Sequence, residues 1–189
     1  MGLPAIAPEG VERVSYRLDD RDDIVFVSDS WGPFATANGA PGLAAGVLGH
    51  SLWDFVGEIT TRQLYRDLIA RVRTGRTAAF DYRCDAPERR RFMHMTMRPC
   101  DRHGVEFESV TLRTEGRRPI AIAARSADPA QRLLRICSWC KRVDVGRSWD
   151  DIETAVSRLG LFAAGAPPAL THAICTPCQA RMLAEIDGA

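Results

Sequence analysis

Residues 60–112, TTRQLYRDLIARVRTGRTAAFDYRCDAPERRRFMHMTMRPCDRHGVEFESVTL, change from one hydrophobic periodicity to another. In the first part apolar residues recur every four positions, which is the spacing of one helix face; these residues are Leu64, Leu68 and Val72. The pattern predicts a helix over residues 60–74, with Thr60 or Thr61 as its N-cap and Gly75 ending it. Beyond Gly75, apolar and polar residues alternate, which is typical of β-strands.

Five strand-like segments surround this helix. Three follow it, at residues 78–84, 91–98 and 105–112, and turn-type sequences join them. Two precede it, at residues 14–18 and 24–28, with a charged turn between them. The order is two strands, short helices, one main helix and three strands. We predict an α+β domain of about 100 residues, built from one sheet layer and one helix layer.

This order of elements resembles that of PAS sensory domains. The segment after the second strand carries part of the resemblance, through Trp31, Phe34, Asn38 and Gly39. The stretch 49–56 before the main helix and the last three strands carry the remainder. The resemblance covers residues 14–115 and implies a five-stranded antiparallel sheet with flanking helices, which together enclose a small pocket.

Members of the PAS family use that pocket for haem, flavin, small metabolites or no ligand. The Asn-Cys-Arg-Phe motif of the flavin photoreceptors does not occur here, and residues 60–74 lack the histidine that ligates haem in oxygen-sensing members. Met93, Met95 and Met97 alternate with His94 and could supply axial haem ligands. A methionine stripe on a strand is more often core or an association face, and we interpret it in that way.

Two CxxC pairs lie in the C-terminal part, Cys137-Ser138-Trp139-Cys140 and Cys175-Thr176-Pro177-Cys178. A two-residue gap lets a tight turn direct both thiolates at one metal, and two such turns complete a tetrahedral site. We predict that these four of the six cysteines bind a structural zinc ion; the ligands are Cys137, Cys140, Cys175 and Cys178. Cys84 and Cys100 lack ligand-like spacing and are interpreted as ordinary thiols.

Other chemistry remains open for the four thiols. They also suit an iron–sulfur cluster, and paired cysteines can form a redox switch or disulfides. His172 could replace one thiolate, although its position three residues before Cys175 favours a place beside the site. Lys141, Arg142 and Arg181 follow the two cysteine pairs and can offset the charge of a four-thiolate centre.

The tail resembles a C-terminal cysteine-rich segment attached to PAS or receiver domains in some bacterial signalling proteins. The matching residues are 136–141, Trp149 and 171–178, and the resemblance covers about residues 135–183. The usual ending is Ser-His-Gly-Ile-Cys-Pro-x-Cys, and this chain has Ala173 for the glycine and Thr176 for the proline. All four cysteines are in place.

Helix signals complete the tail. The sequence from Ser148 to Asp151 is typical of a capping box and predicts a helix with Ile152 and Ala155 on its apolar face. Pro177 can stand in the first turn of a second helix. We therefore predict a small, mainly helical module whose fold depends on its metal.

The chain divides into four parts on these grounds. Residues 1–13 form a leader, 14–118 the PAS-like domain, 119–135 a linker helix and 136–186 the four-cysteine module. The linker helix is predicted from the Asp128-Pro129 pair, which suits an N-cap followed by a first helical residue.

Charge and hydropathy limit the partners and the compartment. Lys and Arg number 25 against 24 Asp and Glu, so the net charge is +1, and such a weak field does not draw the chain to nucleic acid or anionic membranes. No apolar run approaches the length of a bilayer span, and the N-terminus lacks a signal-peptide pattern. We expect a cytoplasmic protein whose six cysteines are thiols or metal ligands.

The sequence contains none of the P-loop, GxSxG, HExxH or GxGxxG motifs, and we expect no enzymatic activity. The first hypothesis is a signalling or regulatory protein that senses by ligand or partner binding and acts through a protein partner, as a homodimer formed by the PAS-like domain. The alternative is a redox or gas sensor carrying an iron–sulfur cluster or haem. A third is a small DNA-binding regulator, whose basic residues would be Arg132, Arg135, Lys141, Arg142 and Arg147.

Overall fold

The computed structural model describes residues 12–86, 88–117, 133–159 and 169–188. Residues 12–117 form one part, here called the sheet domain, and residues 133–188 form a second part, here called the cysteine module. Both contain strands and helices, so the predicted mixed α+β class is confirmed. No described helix has the length and apolar character needed to span a membrane.

The sheet domain is built on one antiparallel sheet with the strand order β2-β1-β5-β4-β3. All five predicted strands are present; their bounds are β1 Arg13–Leu18, β2 Ile24–Val27, β3 Ala78–Arg83, β4 Arg89–Cys100 and β5 Gly104–Gly116. The helical elements between β2 and β3 are α1 Trp31–Ala37, α2 Leu43–Val47, a 3-10 turn at Leu52–Asp54 and α3 Ile59–Arg73.

The methionine stripe of β4 lies on the inner face of this sheet. Met93, Met95 and Met97 are each at most 5% exposed, and the register pairs Met95 with Phe80 of β3 and with Ser109 of β5. Their interpretation as core residues is confirmed. His94 points to the opposite face, where its Nδ1 lies 2.7 Å from Asp81 Oδ1. Haem ligation by His94 together with these methionines is therefore not supported by their placement.

Helix α3 covers the inner face of the sheet with its predicted apolar stripe of Leu64, Leu68 and Val72, which is buried together with the neighbouring Ile69. Gly75 adopts φ +92 just after the helix, as expected of a glycine that ends one. The N-cap prediction was wrong, because the cap is Glu58 and not Thr60 or Thr61. Its carboxylate accepts hydrogen bonds from the Thr60 and Thr61 backbone N–H groups at 2.9 and 2.7 Å. Glu58 thus caps the helix in the way that a serine or threonine side chain usually does.

Replacing Glu58 with glutamine should weaken the α3 cap by about 0.5 to 1 kcal/mol at neutral pH. Burial raises the pKa of Glu58, but hydrogen bonds from Thr60 and Thr61 outweigh it, so the pKa lies below its usual value. A lowered folded-state pKa stabilises the fold above the unfolded-state pKa, and that stabilisation is lost as the pH falls through the folded-state pKa.

The measurement is urea unfolding of wild type and Glu58→Gln at neutral and acidic pH. The stability difference should shrink as the pH falls below about 4, and release of metal in acid affects both proteins alike. The exposed Asp20→Asn serves as the charge-matched control and should show no such trend. A pH-independent difference between wild type and Glu58→Gln would refute the assignment.

The cysteine module contains a four-stranded sheet of order β8-β7-β6-β9 and two helices. Its elements are β6 Leu133–Cys137, β7 Val143–Asp144, β8 Trp149–Asp150, α4 Ile152–Leu159, β9 Ala169–Ala173 and α5 Thr176–Asp187. The predicted helices at Ile152 and at Pro177 are present. The expectation of a mainly helical module was wrong, since β6 and β9 pair in parallel at its centre.

The linker-helix prediction over 119–135 needs a correction at its end. Residues 118–132 lie outside the described residues, but from Leu133 onward the chain is strand β6. Leu134 and Ile136 are buried while Arg135 between them is exposed, and this alternation is the two-residue period of a strand. The cap signal at Asp128-Pro129 therefore does not extend a helix into β6.

Candidate metal centre

The four predicted ligands converge from two turns at one end of the cysteine module. Cys137 is the last residue of β6, and Cys140 follows in the turn that leads to β7. The turn closes because Cys137 N–H donates to Arg142 O at 2.8 Å and Lys141 takes φ +59. Cys175 is the N-cap of α5, and Cys178 lies in the first turn of that helix.

The thiols fit a tetrahedral site. All four Sγ atoms lie within 4.8 Å of one another, and Cys140 Sγ is 3.6 Å from Cys175 Sγ. Zinc–sulfur bonds of about 2.3 Å in tetrahedral geometry place the sulfurs about 3.8 Å apart. Among the described residues the cysteines are all free thiols, so no disulfide competes for the ligands. The geometry can hold a metal ion and is equally compatible with zinc and with an iron–sulfur cluster.

Hydrogen bonds to sulfur favour thiolates at this position. Cys137 Sγ accepts the Cys175 backbone N–H at 3.4 Å, and Cys178 Sγ accepts Arg181 Nη2 at 3.2 Å. Hydrogen bonds with the Cys140 and Cys178 thiols hold the pKa of Cys137 well below its usual value. Burial raises the pKa of Cys175 to about 11. Binding of a metal to all four sulfurs therefore requires release of protons, which is general for thiolate sites.

The basic residues near the site have three different placements. The Arg181 guanidinium contacts Cys178 directly, as its spacing suggested. The Lys141 ammonium donates to Ser138 O at 2.9 Å, and burial lowers the pKa of Lys141. Arg142 is exposed. Charge compensation of the sulfurs therefore falls mainly to Arg181 and the nearby Lys141.

The remaining candidate ligands lie elsewhere in the described part of the chain. The group that could hold a metal consists of the four thiols, and the exposed His172 on β9 is outside it. Cys84 follows β3 and Cys100 ends β4, and burial raises the pKa of both thiols. We expect Cys84→Ser and Cys100→Ser to leave the metal content per chain unchanged. Elemental analysis of the purified variants tests this, and loss of metal in either would contradict the assignment of ligands.

Trp139, between the first two ligands, inserts into the core of the sheet domain. Its side chain is 3% exposed and stacks on Tyr65 of α3, with the ring centroids 5.8 Å apart and the planes at 24°. It also meets Phe80 of β3 at 6.3 Å. The Arg83 backbone N–H donates to Trp139 O at 2.7 Å. The edge of β3 is therefore hydrogen-bonded to the turn of residues 137–140, here called the metal turn. This role of Trp139 was not predicted; its only signal in the sequence is a tryptophan between two of the predicted ligands.

Polar contacts also join the sheet domain to the cysteine module near Trp139, at what we call the junction. Arg83 Nη2 is 2.5 Å from Asp85 Oδ2, and Arg83 Nη1 is 3.3 Å from Asp151 Oδ1 in the cysteine module. Arg90 of β4 pairs with Glu153 of α4 at 2.5 Å. These ion pairs join β3 and β4 to the start of α4.

Helix α5 covers the free edge of β3 from the other side. Glu185 Oε1 accepts the Ala79 N–H at 3.0 Å, and Arg71 of α3 donates to Ile186 O at 2.7 Å. Met182 is 2% exposed and belongs to the same hydrophobic cluster as Trp139 and Phe107. The candidate metal centre is therefore part of the core that the two parts of the chain share.

No sequence model of a known family matches the chain, and no curated protein matches it. Among solved structures, the chain is similar to a domain of an HTR-like protein from Haloarcula marismortui ATCC 43049. The sequence identity is 19% and the TM-score 0.37, over 55% of this chain and 97% of that chain. At this level of similarity neither fold nor function transfers from one protein to the other.

Proposed function

We propose that the chain is a cytoplasmic signalling or regulatory protein without catalytic activity. In this proposal the sheet domain is PAS-like and senses by binding a ligand or partner, and it forms a homodimer. The cysteine module holds a structural zinc ion and presents the signal to a protein partner.

The observation that carries the proposal is the position of Trp139. It lies between Cys137 and Cys140 and belongs to the same buried cluster as Leu68 and Phe107 of the sheet domain. A change in packing of that core therefore acts directly on the metal turn. A shared packed core is the physical link that a sensor needs between the part that binds and the part that reports.

The test is affinity purification of the tagged full chain from its native host, with wild type, Cys137→Ser and Cys100→Ser compared. We expect a protein partner to co-purify in stoichiometric amount with wild type and with Cys100→Ser, and to be lost from Cys137→Ser. Light scattering of the purified chain should give twice the chain mass. A monomer without any partner, whatever the state of the cysteines, would contradict the proposal.

A redox or gas sensor is the second candidate function. Cys140, Cys175 and Cys178 line a groove of about 680 Å³, and Cys140 is half-buried whereas the other three cysteines of the site are buried, so a small oxidant would reach the site from the Cys140 side. An iron–sulfur cluster at this position could react there. Anaerobic purification followed by visible spectroscopy distinguishes the candidates, since a cluster absorbs visible light and zinc does not.

The DNA-binding alternative has less support from the geometry. Lys141 is half-buried and its ammonium donates to Ser138 O, and Arg135 pairs with Asp144 at 3.0 Å. Arg132 lies outside the described residues. The basic residues of the tail therefore do not form one free basic surface within the described part of the chain. A titration with mixed-sequence DNA at low salt should show no binding.

A further inference from the structure

The four cysteines of the candidate metal centre differ in their exposure. Cys137, Cys175 and Cys178 are 0%, 1% and 2% exposed, whereas Cys140 is half-buried. Cys140 also lines the groove of about 680 Å³ whose walls come from both parts of the chain, and Cys137 is absent from that lining. A small oxidant in solution therefore meets the sulfur of Cys140 first.

The contacts of the buried thiols single out Cys175 as the second reacting group. Its Sγ lies 3.6 Å from Cys140 Sγ, and it has no cationic partner within the described part of the chain. Cys178 Sγ instead accepts Arg181 Nη2 at 3.2 Å. A hydrogen bond from a guanidinium stabilises a thiolate, and a thiolate stabilised in this way is a weaker nucleophile. Cys175 is therefore better placed than Cys178 to attack an oxidised Cys140.

These two thiols belong to different turns, so a bond between them would change how the turns sit. A disulfide needs its sulfurs about 2.05 Å apart, and Cys140 and Cys175 would have to approach each other by about 1.5 Å. Trp139 directly precedes Cys140 and stacks on Tyr65 of α3. A displacement of Cys140 therefore acts on a side chain of the core that the two parts of the chain share.

We propose that a peroxide joins Cys140 to Cys175 in a disulfide, and that the candidate metal centre thereby loses its metal and loosens the junction. The Cys140 thiolate attacks one peroxide oxygen, the O–O bond breaks, and hydroxide leaves a sulfenic acid on Cys140. The Cys175 thiolate then attacks the Cys140 sulfur, the S–O bond breaks, and a second hydroxide leaves. The two sulfurs lose two electrons to the peroxide, and two protons from solvent convert the hydroxides to water.

The disulfide removes two of the four ligands, and the two thiolates that remain, Cys137 and Cys178, do not complete a tetrahedral site. Oxidation therefore removes the stabilisation that metal binding gives to the cysteine module. The covalent chemistry depends on the four thiols alone, whereas its effect on a protein partner rests on the proposed function. A reductant and fresh metal reverse the change, because a disulfide is the reversible product of thiol oxidation.

The test uses the metal-loaded full chain with Cys84→Ser and Cys100→Ser, in which four of the six cysteines remain. It is treated with an equimolar amount of hydrogen peroxide, the remaining thiols are blocked with iodoacetamide, and the chain is digested with trypsin. The two cysteine pairs then lie in separate peptides, residues 136–141 and 159–181. Mass spectrometry should find these peptides joined by one disulfide, from the second cysteine of the first pair to the first cysteine of the second. A metal indicator should record one ion released for each disulfide.

The wild-type chain provides an internal control. Burial raises the pKa of the Cys84 and Cys100 thiols, so both should remain reduced under the same treatment. A dithiol reductant with added zinc should restore the original unfolding midpoint. A disulfide within one cysteine pair, release of metal without a disulfide, or retention of metal in excess peroxide would overturn the proposal. If a partner still co-purifies with the untreated chain in that case, the redox switch alone has failed and the proposed function stands.

Discussion

Replacing Cys137 with serine should destabilise the metal-loaded chain by about 3 kcal/mol or more, because structural zinc sites in small modules contribute roughly 10 to 16 kcal/mol of binding energy. Cys137 is fully buried and accepts the Cys175 N–H, so its loss removes a ligand and a contact between the two cysteine turns. Because Trp139 packs into the sheet domain, we expect the destabilisation to reach β3 and α3 as well as the cysteine module.

Urea unfolding followed by circular dichroism and by tryptophan fluorescence measures this effect. Cys100→Ser is the matched control, since Cys100 ends β4 away from the thiol group, and it should unfold within about 0.5 kcal/mol of wild type. Removal of the metal with a chelator should shift wild type to the behaviour of Cys137→Ser and leave that variant unchanged. An unfolding midpoint of Cys137→Ser equal to that of wild type would show that the thiols hold no structural metal.

Replacing Trp139 with alanine should cost about 3 to 5 kcal/mol, the range for truncation of a large buried aromatic residue. The substitution removes the stack on Tyr65 and the contact with Phe80, and leaves a cavity where the two parts of the chain meet. Trp139→Phe retains most of the packing and should cost much less. The cysteine ligands are untouched, so the loss comes from the junction.

Trp149→Ala is the control for tryptophan truncation, because Trp149 is half-buried at the margin of the shared cluster and lies over Arg135 of the cysteine module. Its cost should be smaller, and its effect on the sheet domain weaker, than those of Trp139→Ala. Hydrogen exchange can locate both effects, with the larger increase in exchange of β3 and α3 expected for Trp139→Ala. Equal exchange of those elements in the two variants would mean that Trp139 does not couple the two parts of the chain.

The sheet domain was predictable from the sequence because its elements carry long periodic signals. Strand β4 alternates over many residues, and α3 repeats its apolar positions over four turns. The strands of the cysteine module were not predictable, since β7 and β8 have two residues each and exist only through pairing with β6. Such short strands have no period that a sequence can show.

The convergence of the four thiols was predictable for a different reason. Spacing alone brings Cys137 and Cys140 to one turn, and Cys175 and Cys178 to another. The junction was not predictable, because it depends on which surfaces of two distant segments fit. Trp139 and Arg83 are far apart in the sequence, and neither residue type signals a contact with the other.

Elemental analysis and visible spectroscopy of the chain purified without oxygen test the central claim, a structural zinc ion that holds the cysteine module on the sheet domain. We expect one zinc per chain, no visible absorbance, and loss of the zinc in Cys137→Ser but not in Cys100→Ser. A brown protein with iron and acid-labile sulfide, or a folded wild-type chain without metal, would contradict it.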